Sequence, residues 1–271
     1  MTQPVSKASG YFDLICNYIT NKQKFNDLEF RRFLFDVEKV DSFVSKNELT
    51  GFAHAIQGNK EEALSCYKNA LASSLAGFNT KGNYYILLKY FGLHREAYEY
   101  GKTISYNCSD HVFLNDFFLE NVIALDVECA ERTFEKLRGM NKLDQKEVTM
   151  EASKEMDLMK RVSEHFINKD QLLMISDAAL KAAEEHHCKL IGNRITHNKE
   201  SNHLSVSYVL DCEEHTSDEA FDVNMSLIDN LIRMNLDTLP AVVQFVRLSR
   251  SQMPEKEVIL KAEEETNVSQ S

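Results

Sequence analysis

The chain has no tryptophan and only 3 prolines and 9 glycines among its 271 residues. Because proline and glycine disfavour helix interiors most strongly, their scarcity favours long helices. No apolar run approaches the roughly 18 residues needed to cross a bilayer. The N-terminus also lacks the hydrophobic core of a signal peptide. We therefore expect a largely helical protein that does not interact with a membrane.

The charge is unbalanced, with 42 acidic against 31 basic residues and a formal net charge of −11. Such a field disfavours nucleic acid as a partner, although regulation of nucleic acid through a local basic face stays an alternative. The cysteines lack the spacing of a disulfide framework, which predicts reduced thiols and a cytoplasmic location. They are Cys16, Cys66, Cys108, Cys129, Cys188 and Cys212.

Catalytic motifs are also missing. The sequence has no glycine-rich phosphate loop, no dinucleotide-binding glycine pattern, no paired histidines of the metalloprotease type and no nucleophile elbow. Acidic pairs such as Glu61–Glu62 are typical of solvated helix faces. We therefore expect no catalytic residue and no cofactor.

What the sequence does contain is a repeat. Ala63, Ala97 and Ala130 recur at intervals of 34 and 33 residues. Around Ala63, a glycine permits a tight turn, small residues let two helices approach closely, and an aromatic side chain four residues later fills the adjoining space. The residues of this frame are Gly51, Gly58, Ala63, Tyr67, Ala70 and Leu71.

This frame resembles a tetratricopeptide repeat, and the resemblance covers about 45–138. The second unit keeps Gly92, Glu96 and Ala97 but has Tyr85 and Gly101 where the early glycine and the aromatic residue are expected. The third keeps Ala130 and Phe134, with Leu125 at the turn. The resemblance implies an array of helical hairpins, and an irregular helical bundle is the alternative.

In the family that this frame resembles, the first helix of each unit lines a concave face that binds peptides. The resemblance places a partner-binding surface at Phe52, Ile56, Ile86, Lys89, Tyr90, Asn115, Leu119 and Val122. Lys89 and Asn115 are best suited to hold a peptide backbone or carboxylate. In the alternative, a helix near 146–166 folds back and fills this groove, because exposed apolar stripes are uncommon without a partner.

The elements that flank the repeat follow from hydrophobic spacing. Two apolar stripes, at 11–19 and 28–37, predict a helix pair that forms an atypical first unit. We expect a repeat domain over 1–140 and connecting helices over 141–185, of which one covers 146–166 and the next ends near Glu185.

The remainder predicts a small α+β module over 186–250. Alternating patterns predict strands at Lys189–Thr196, Leu204–Asp211 and Ala241–Leu248. Thr216 and Glu219 form a capping box before a helix that separates the last two strands. We expect a three-stranded, mainly antiparallel sheet packed with helices, and a charged tail over 251–271. An exposed sheet edge would permit a homodimer.

Histidine and cysteine residues gather at one end of the predicted hairpin. His186, Cys188, Cys212 and His215 would converge as zinc ligands if paired residues summed to 400. The apolar residues that should face inward have odd numbers in the first strand and even numbers in the second. If inward residues pair with each other, the numbers of paired residues add to an odd total. An odd sum separates the two cysteines, because a one-residue slip inverts every side chain. We therefore expect no metal, although a bulge would restore the convergence.

These features predict a non-enzymatic adaptor or regulator that binds a protein or peptide on a tetratricopeptide-like platform. The alternative is a metal-dependent or ligand-binding catalytic module at the C-terminus, with its substrate recruited by the helical half.

Overall fold

The structure is a computed structural model that describes residues 7–144, 146–198 and 203–248. These residues form the helices α1 (Lys7–Thr20), α2 (Asp27–Val37), α3 (Phe43–Gln57), α4 (Lys60–Leu71), α5 (Phe78–Tyr90), α6 (His94–Ser105), α7 (His111–Ile123), α8 (Val127–Gly139), α9 (Glu147–His165), α10 (Lys169–Glu185) and α11 (Ser217–Arg233). The strands are β1 (Leu190–Asn198), β2 (His203–Asp211) and β3 (Ala241–Leu248). The expected tail at 251–271 lies outside the described residues.

The mainly helical fold with a three-stranded sheet near the C-terminus is confirmed. The chain divides into two compact units, whose described parts are residues 7–87 and residues 88–248. The division falls within α5. The domain limits expected from the sequence stay a prediction.

In the first unit, the α3–α4 hairpin is packed too closely for a side chain at Gly51. A Cβ atom there would lie 2.7 Å from Tyr67 Cδ2 and 3.2 Å from the carbonyl oxygen of Ala63. The buried ring of Tyr67 also meets the ring of Phe52 edge to face, with 5.2 Å between their centroids. The glycine, alanine and aromatic residue of the sequence frame therefore have one physical role, the close approach of two helices.

Seven helix-ending turns among the described residues share one geometry, and three of them follow the interval of the repeat. Gly58, Gly92 and Leu125 adopt left-handed backbone conformations, with φ of 82°, 68° and 51° respectively. In each turn the following amide donates to the carbonyl five residues earlier; the pairs are Asn59 with His54, Leu93 with Leu88, and Asp126 with Asn121. A left-handed conformation costs a leucine about 1–2 kcal/mol, and the full burial of Leu125 offsets that cost. The same local turn thus recurs at the interval of the repeat.

In the second unit, Asp126 joins α6 to the start of α8. Its Oδ1 caps α8 by accepting from the amide of Cys129 at 2.8 Å. Its Oδ2 accepts from Tyr98 Oη at 2.5 Å and from Lys102 Nζ at 3.1 Å. This carboxylate is only 5% exposed, so a buried charge is satisfied by donors from both helices.

The sheet has the strand order β1-β2-β3. β1 and β2 pair antiparallel, with Asn193 opposite Tyr208 and Ile195 opposite Val206, so the predicted odd sum is confirmed over most of the hairpin. A bulge between Leu190 and Gly192 shifts the pairing, and Leu190 lies opposite Leu210. The register is therefore set by the apolar residues of the hairpin and changes phase at one end.

The expectation of a mainly antiparallel sheet is corrected in one respect, because β3 runs parallel to β2. The connection between them is α11, a helix of 17 residues. At about 1.5 Å per residue, such a helix returns the chain along roughly the full length of a strand. The next strand then starts at the same end of the sheet as β2, and the sheet is mixed.

Candidate protein-binding surface

Two of the predicted concave-face residues lie in the core of the first unit. Phe52 is 4% exposed and Ile56 is 2% exposed. Ile86 on α5 is half-buried. Phe52 and Ile56 thus present little surface to a partner, and their role in binding stays a prediction.

Lys89, in the second unit, is held by two carboxylates of α7. Its Nζ lies 2.8 Å from Asp116 Oδ2 and 2.6 Å from Glu120 Oε1. Burial lowers the pKa of Lys89, but these two carboxylates outweigh that effect and raise the pKa above its usual value. Tyr90, which is 37% exposed, lies with its ring 4.9 Å from Lys189 Nζ. Lys89 therefore has partners within its own unit.

Asn115 and Leu119 on α7 contact other parts of the second unit. Asn115 Nδ2 donates to the carbonyl of Lys142 at 3.0 Å, and its Oδ1 accepts from the amide of Asp144 at 2.9 Å. Leu119 is 9% exposed and, together with Val122, lines a cavity of about 50 Å³ whose other wall includes residues of α9. The predicted helix near 146–166 therefore lies against this part of α7, and whether it fills a groove of the repeat stays a prediction.

The proposed metal ligands point to different neighbours. His186 Nε2 is 2.6 Å from Ser226 Oγ on α11. His215 Nε2 instead accepts from the amide of Lys189 at 3.2 Å. Cys188 is fully buried, and burial raises the pKa of its thiol to about 11, which disfavours the thiolate that binds zinc.

Cys212, the remaining metal candidate, is half-buried beside the end of β3 and donates its amide to the carbonyl of Leu248 at 3.0 Å. Among the residues that the structure describes, no three histidine, cysteine, aspartate or glutamate side chains lie close enough together to hold a metal ion. The bulge in β1 thus does not bring the four candidate residues together as a metal site.

Both edges of the sheet are capped near their middle by helix side chains. On the β1 edge, the amide of Ile195 donates to Glu155 Oε1 at 3.0 Å. On the β3 edge, the amide of Phe245 donates to Asn224 Oδ1 at 2.8 Å, and its carbonyl accepts from Asn224 Nδ2 at 3.0 Å. Edge pairing requires a free row of these groups, so the caps obstruct the predicted homodimer through the sheet.

A large apolar surface lies on α11. Its residues, which we call the α11 stripe, follow one another at intervals of four, three and four positions, and thus share one face of the helix. They are exposed by 63%, 46%, 45% and 53% at Phe221, Met225, Ile228 and Ile232 respectively. The opposite face of the same helix buries Val223, Leu227 and Asn230. This helix therefore has two apolar faces, of which one is packed and one is open.

An apolar pocket of about 330 Å³ adjoins the α11 stripe. Ile228 and Ile232 of the stripe form one side, and Val242 and Val243 of β3 form another. Val242 is itself 51% exposed, so the open apolar surface continues from α11 onto the sheet. Concave apolar surfaces of this kind can receive a large side chain from a partner.

The sequence analysis predicted this helix but did not predict that Phe221 and Ile228 are exposed. A signal was present, because apolar residues occur on two sides of α11. Counting the spacing of four, three and four separately from Val223 and Leu227 would have shown the second face.

Comparison with known proteins yields no match for this chain among protein-family models, curated proteins or solved structures. Within the described part of the chain, no helix is both long and apolar enough to cross a bilayer.

Proposed function

We propose that this chain is a non-enzymatic adaptor or regulator that binds another protein through the α11 stripe. The observation that carries the proposal is the continuity of the stripe with the neighbouring apolar pocket. Single exposed apolar residues are ordinary, but contiguous apolar patches mark interaction sites on folded proteins. The burial of Val223 and Leu227 on the opposite face fixes α11 to the second unit and supports the use of the stripe as a preformed surface.

The proposal includes the helical hairpins as a tetratricopeptide-like scaffold in the cytoplasm. It is supported by the close contact of Gly51 with Tyr67 and by the spacing of 34 and 33 residues between the turns at Gly58, Gly92 and Leu125. All six cysteines are free thiols, which agrees with a reducing compartment.

Burial of the α11 stripe alone would give only a modest affinity for a partner protein. Burying each half-exposed side chain of the stripe stabilises a complex by about 1 kcal/mol, or about 4 kcal/mol for the set. Association itself costs on the order of 4 kcal/mol or more. A useful affinity therefore requires further contacts, from the pocket or from charged groups beside the stripe.

The test compares affinity purification with the full chain, an Ile228→Asp variant and a Phe35→Asp control. Phe35 is a 67% exposed residue of α2, so it matches Ile228 in character but lies outside the stripe. We expect proteins retained by the full chain and the control to be lost with Ile228→Asp. A recovered partner is then purified and its dissociation constant measured directly.

The variant should raise that dissociation constant at least tenfold, since a buried carboxylate without a partner is costly. Equal binding of the purified partner to the chain and to Ile228→Asp would refute the proposed surface.

A further inference from the structure

Acidic residues border the α11 stripe. Asp218, Asp222 and Asp229 are exposed, and their spacing of four and seven positions places them along one side of the helix. At 100° per residue, this side lies about 60–100° from Phe221, directly beside the stripe. Exposed Asp237 also lines the apolar pocket at the end of the helix. We call these four aspartates the acidic border.

Among the described residues, the four aspartates of the border outnumber the basic groups near them, which are Arg247 of β3, bonded to Ser217 Oγ at 2.6 Å, and Arg233, four residues from Asp229. Arg233 is the single lysine or arginine within α11, whose sequence also contains Glu219. Glu219 is engaged at the helix start, where it accepts from the amide and hydroxyl of Thr216. The border and the net charge of −11 both make the electrostatic potential at this surface negative, so the surface attracts cations.

The border argues against a second copy of the chain docked through an antiparallel pairing of α11. If two copies of α11 packed antiparallel, Phe221 would meet Ile232 of the other copy, and Met225 would meet Ile228. Asp222 and Asp229 would then flank the same seam, each facing a carboxylate of the other copy. Like charges placed together at an interface cost several kcal/mol.

A strand is also a poor occupant, although β3 lies beside the pocket. Asn224 occupies both the amide and the carbonyl of Phe245 near the middle of β3. An added strand could pair only with part of this edge before meeting that side chain.

We propose that the α11 stripe and acidic border bind a cationic amphipathic helix of a partner protein, which rests on the proposed function of this surface. The apolar face of that helix packs on Phe221, Met225, Ile228 and Ile232, and its lysine or arginine residues face the border. Each exposed ion pair adds about 0.2–1 kcal/mol, which supplements the modest apolar contribution. The charges of the acidic border also raise the rate at which a cationic helix associates with the surface, and they repel acidic helices.

The experiment measures fluorescence anisotropy of labelled 18-residue peptides with the full chain. The first peptide carries leucine at helical spacing and lysine on the flanks. The second replaces every lysine by glutamate, and the third has the first composition in scrambled order. We expect the first to bind at least tenfold more tightly than the other two, with an affinity that falls as salt rises.

An Asp222→Asn/Asp229→Asn variant should weaken binding of the first peptide several-fold and reduce its salt dependence. The matched control is Glu61→Gln/Glu62→Gln, which removes two exposed charges from α4 and should leave binding unchanged. The substituted side chains are exposed, so the folded state is expected to persist, and circular dichroism checks it.

Equal affinity for the lysine and glutamate peptides would overturn the inferred partner chemistry. The same holds if the aspartate variant binds like its control, or if α11 forms a dimer that Ile228→Asp abolishes. Failure of the proposed function is distinct, because it appears as undiminished binding of the purified natural partner by Ile228→Asp.

Discussion

Gly51 occupies the point of closest approach between α3 and α4. The nearest atom to an added Cβ is a ring carbon of Tyr67, and that ring is fully buried. It therefore has no open space into which it can move. Gly82 in α5 offers the opposite case, because nothing lies within 4 Å of a Cβ atom built there.

We expect Gly51→Ala to lower the free energy of unfolding by about 1–3 kcal/mol, because the methyl group overpacks a filled contact. Gly82→Ala should raise it by about 0.5–1 kcal/mol, since alanine restricts the unfolded chain and favours the helix. Urea unfolding followed by circular dichroism measures both. If Gly51→Ala stabilised the protein as Gly82→Ala is expected to, the inference that α3 and α4 leave no room for a side chain at Gly51 would be wrong.

Among the elements, the edges of the sheet depend on single side chains of helices. Asn224 mimics a neighbouring strand by offering one acceptor and one donor to Phe245. Glu155 supplies an acceptor at the other edge. An edge with free amides and carbonyls pairs readily with other chains, so these contacts also limit association.

We expect Asn224→Ala to destabilise the second unit by about 1–2 kcal/mol, because it leaves two backbone groups of Phe245 without their partners. It should also increase self-association through β3. The matched control is Gln244→Ala, which removes an exposed side chain bonded to Ser207 on the open face of the sheet. Denaturant unfolding and sedimentation velocity provide the two measurements, and indistinguishable results for both variants would contradict the edge-capping role.

Some features of the elements could be predicted from the sequence, and others could not. The spans of β2 and β3, and the capping box that starts α11, follow from alternation and local hydrogen bonding, which the sequence carries directly. The direction of β3 depends on how far α11 carries the chain before it turns. The exposure of Phe221 depends on which side of α11 meets the sheet. Neither is a local property, so neither was recovered from the sequence.

At the scale of the whole molecule, the pH dependence of stability is affected by one buried carboxylate, that of Asp126. Burial raises the pKa of Asp126, but the donors Tyr98, Cys129 and Lys102 outweigh it and hold that pKa below its usual value. Its stabilising effect is therefore present above the unfolded pKa, near 3.9, and is lost as pH falls through the lower native pKa.

We expect Asp126→Asn to lower the free energy of unfolding by about 1.5–3 kcal/mol at neutral pH, since charged hydrogen bonds are lost. The difference from the unaltered chain should shrink between about pH 5 and pH 2, where first the unfolded and then the native carboxylate becomes protonated. The exposed Asp41 supplies the control, because Asp41→Asn changes a surface side chain and should produce only a small difference. Thermal melts across this pH range provide the measurement. A difference for Asp126→Asn that stays constant would contradict the role of the buried charge.

The residues of the predicted concave surface could be identified from the sequence, but their contacts within the folded chain could not. Lys89 was identified as a polar member of a concave surface, but Asp116 and Glu120 neutralise it within the unit. Asn115 was assigned to a peptide backbone and instead holds the backbone of Lys142 and Asp144. Such choices are made by neighbours distant in sequence, which composition and spacing do not specify.

The bulge in β1 has a consequence for the alternation of the chain. Cys188, which precedes β1 by two residues, and Ile195 are seven positions apart, so an extended segment without a bulge would turn them to opposite sides, yet both are buried. The extra residue, Ile191, resets the count between them. This segment therefore carries two hydrophobic phases that are one residue out of step. Removing the extra residue would leave six positions between Cys188 and Ile195, so a regular segment would keep both on the same side, whereas the same deletion with the bulge retained would turn one of them toward water.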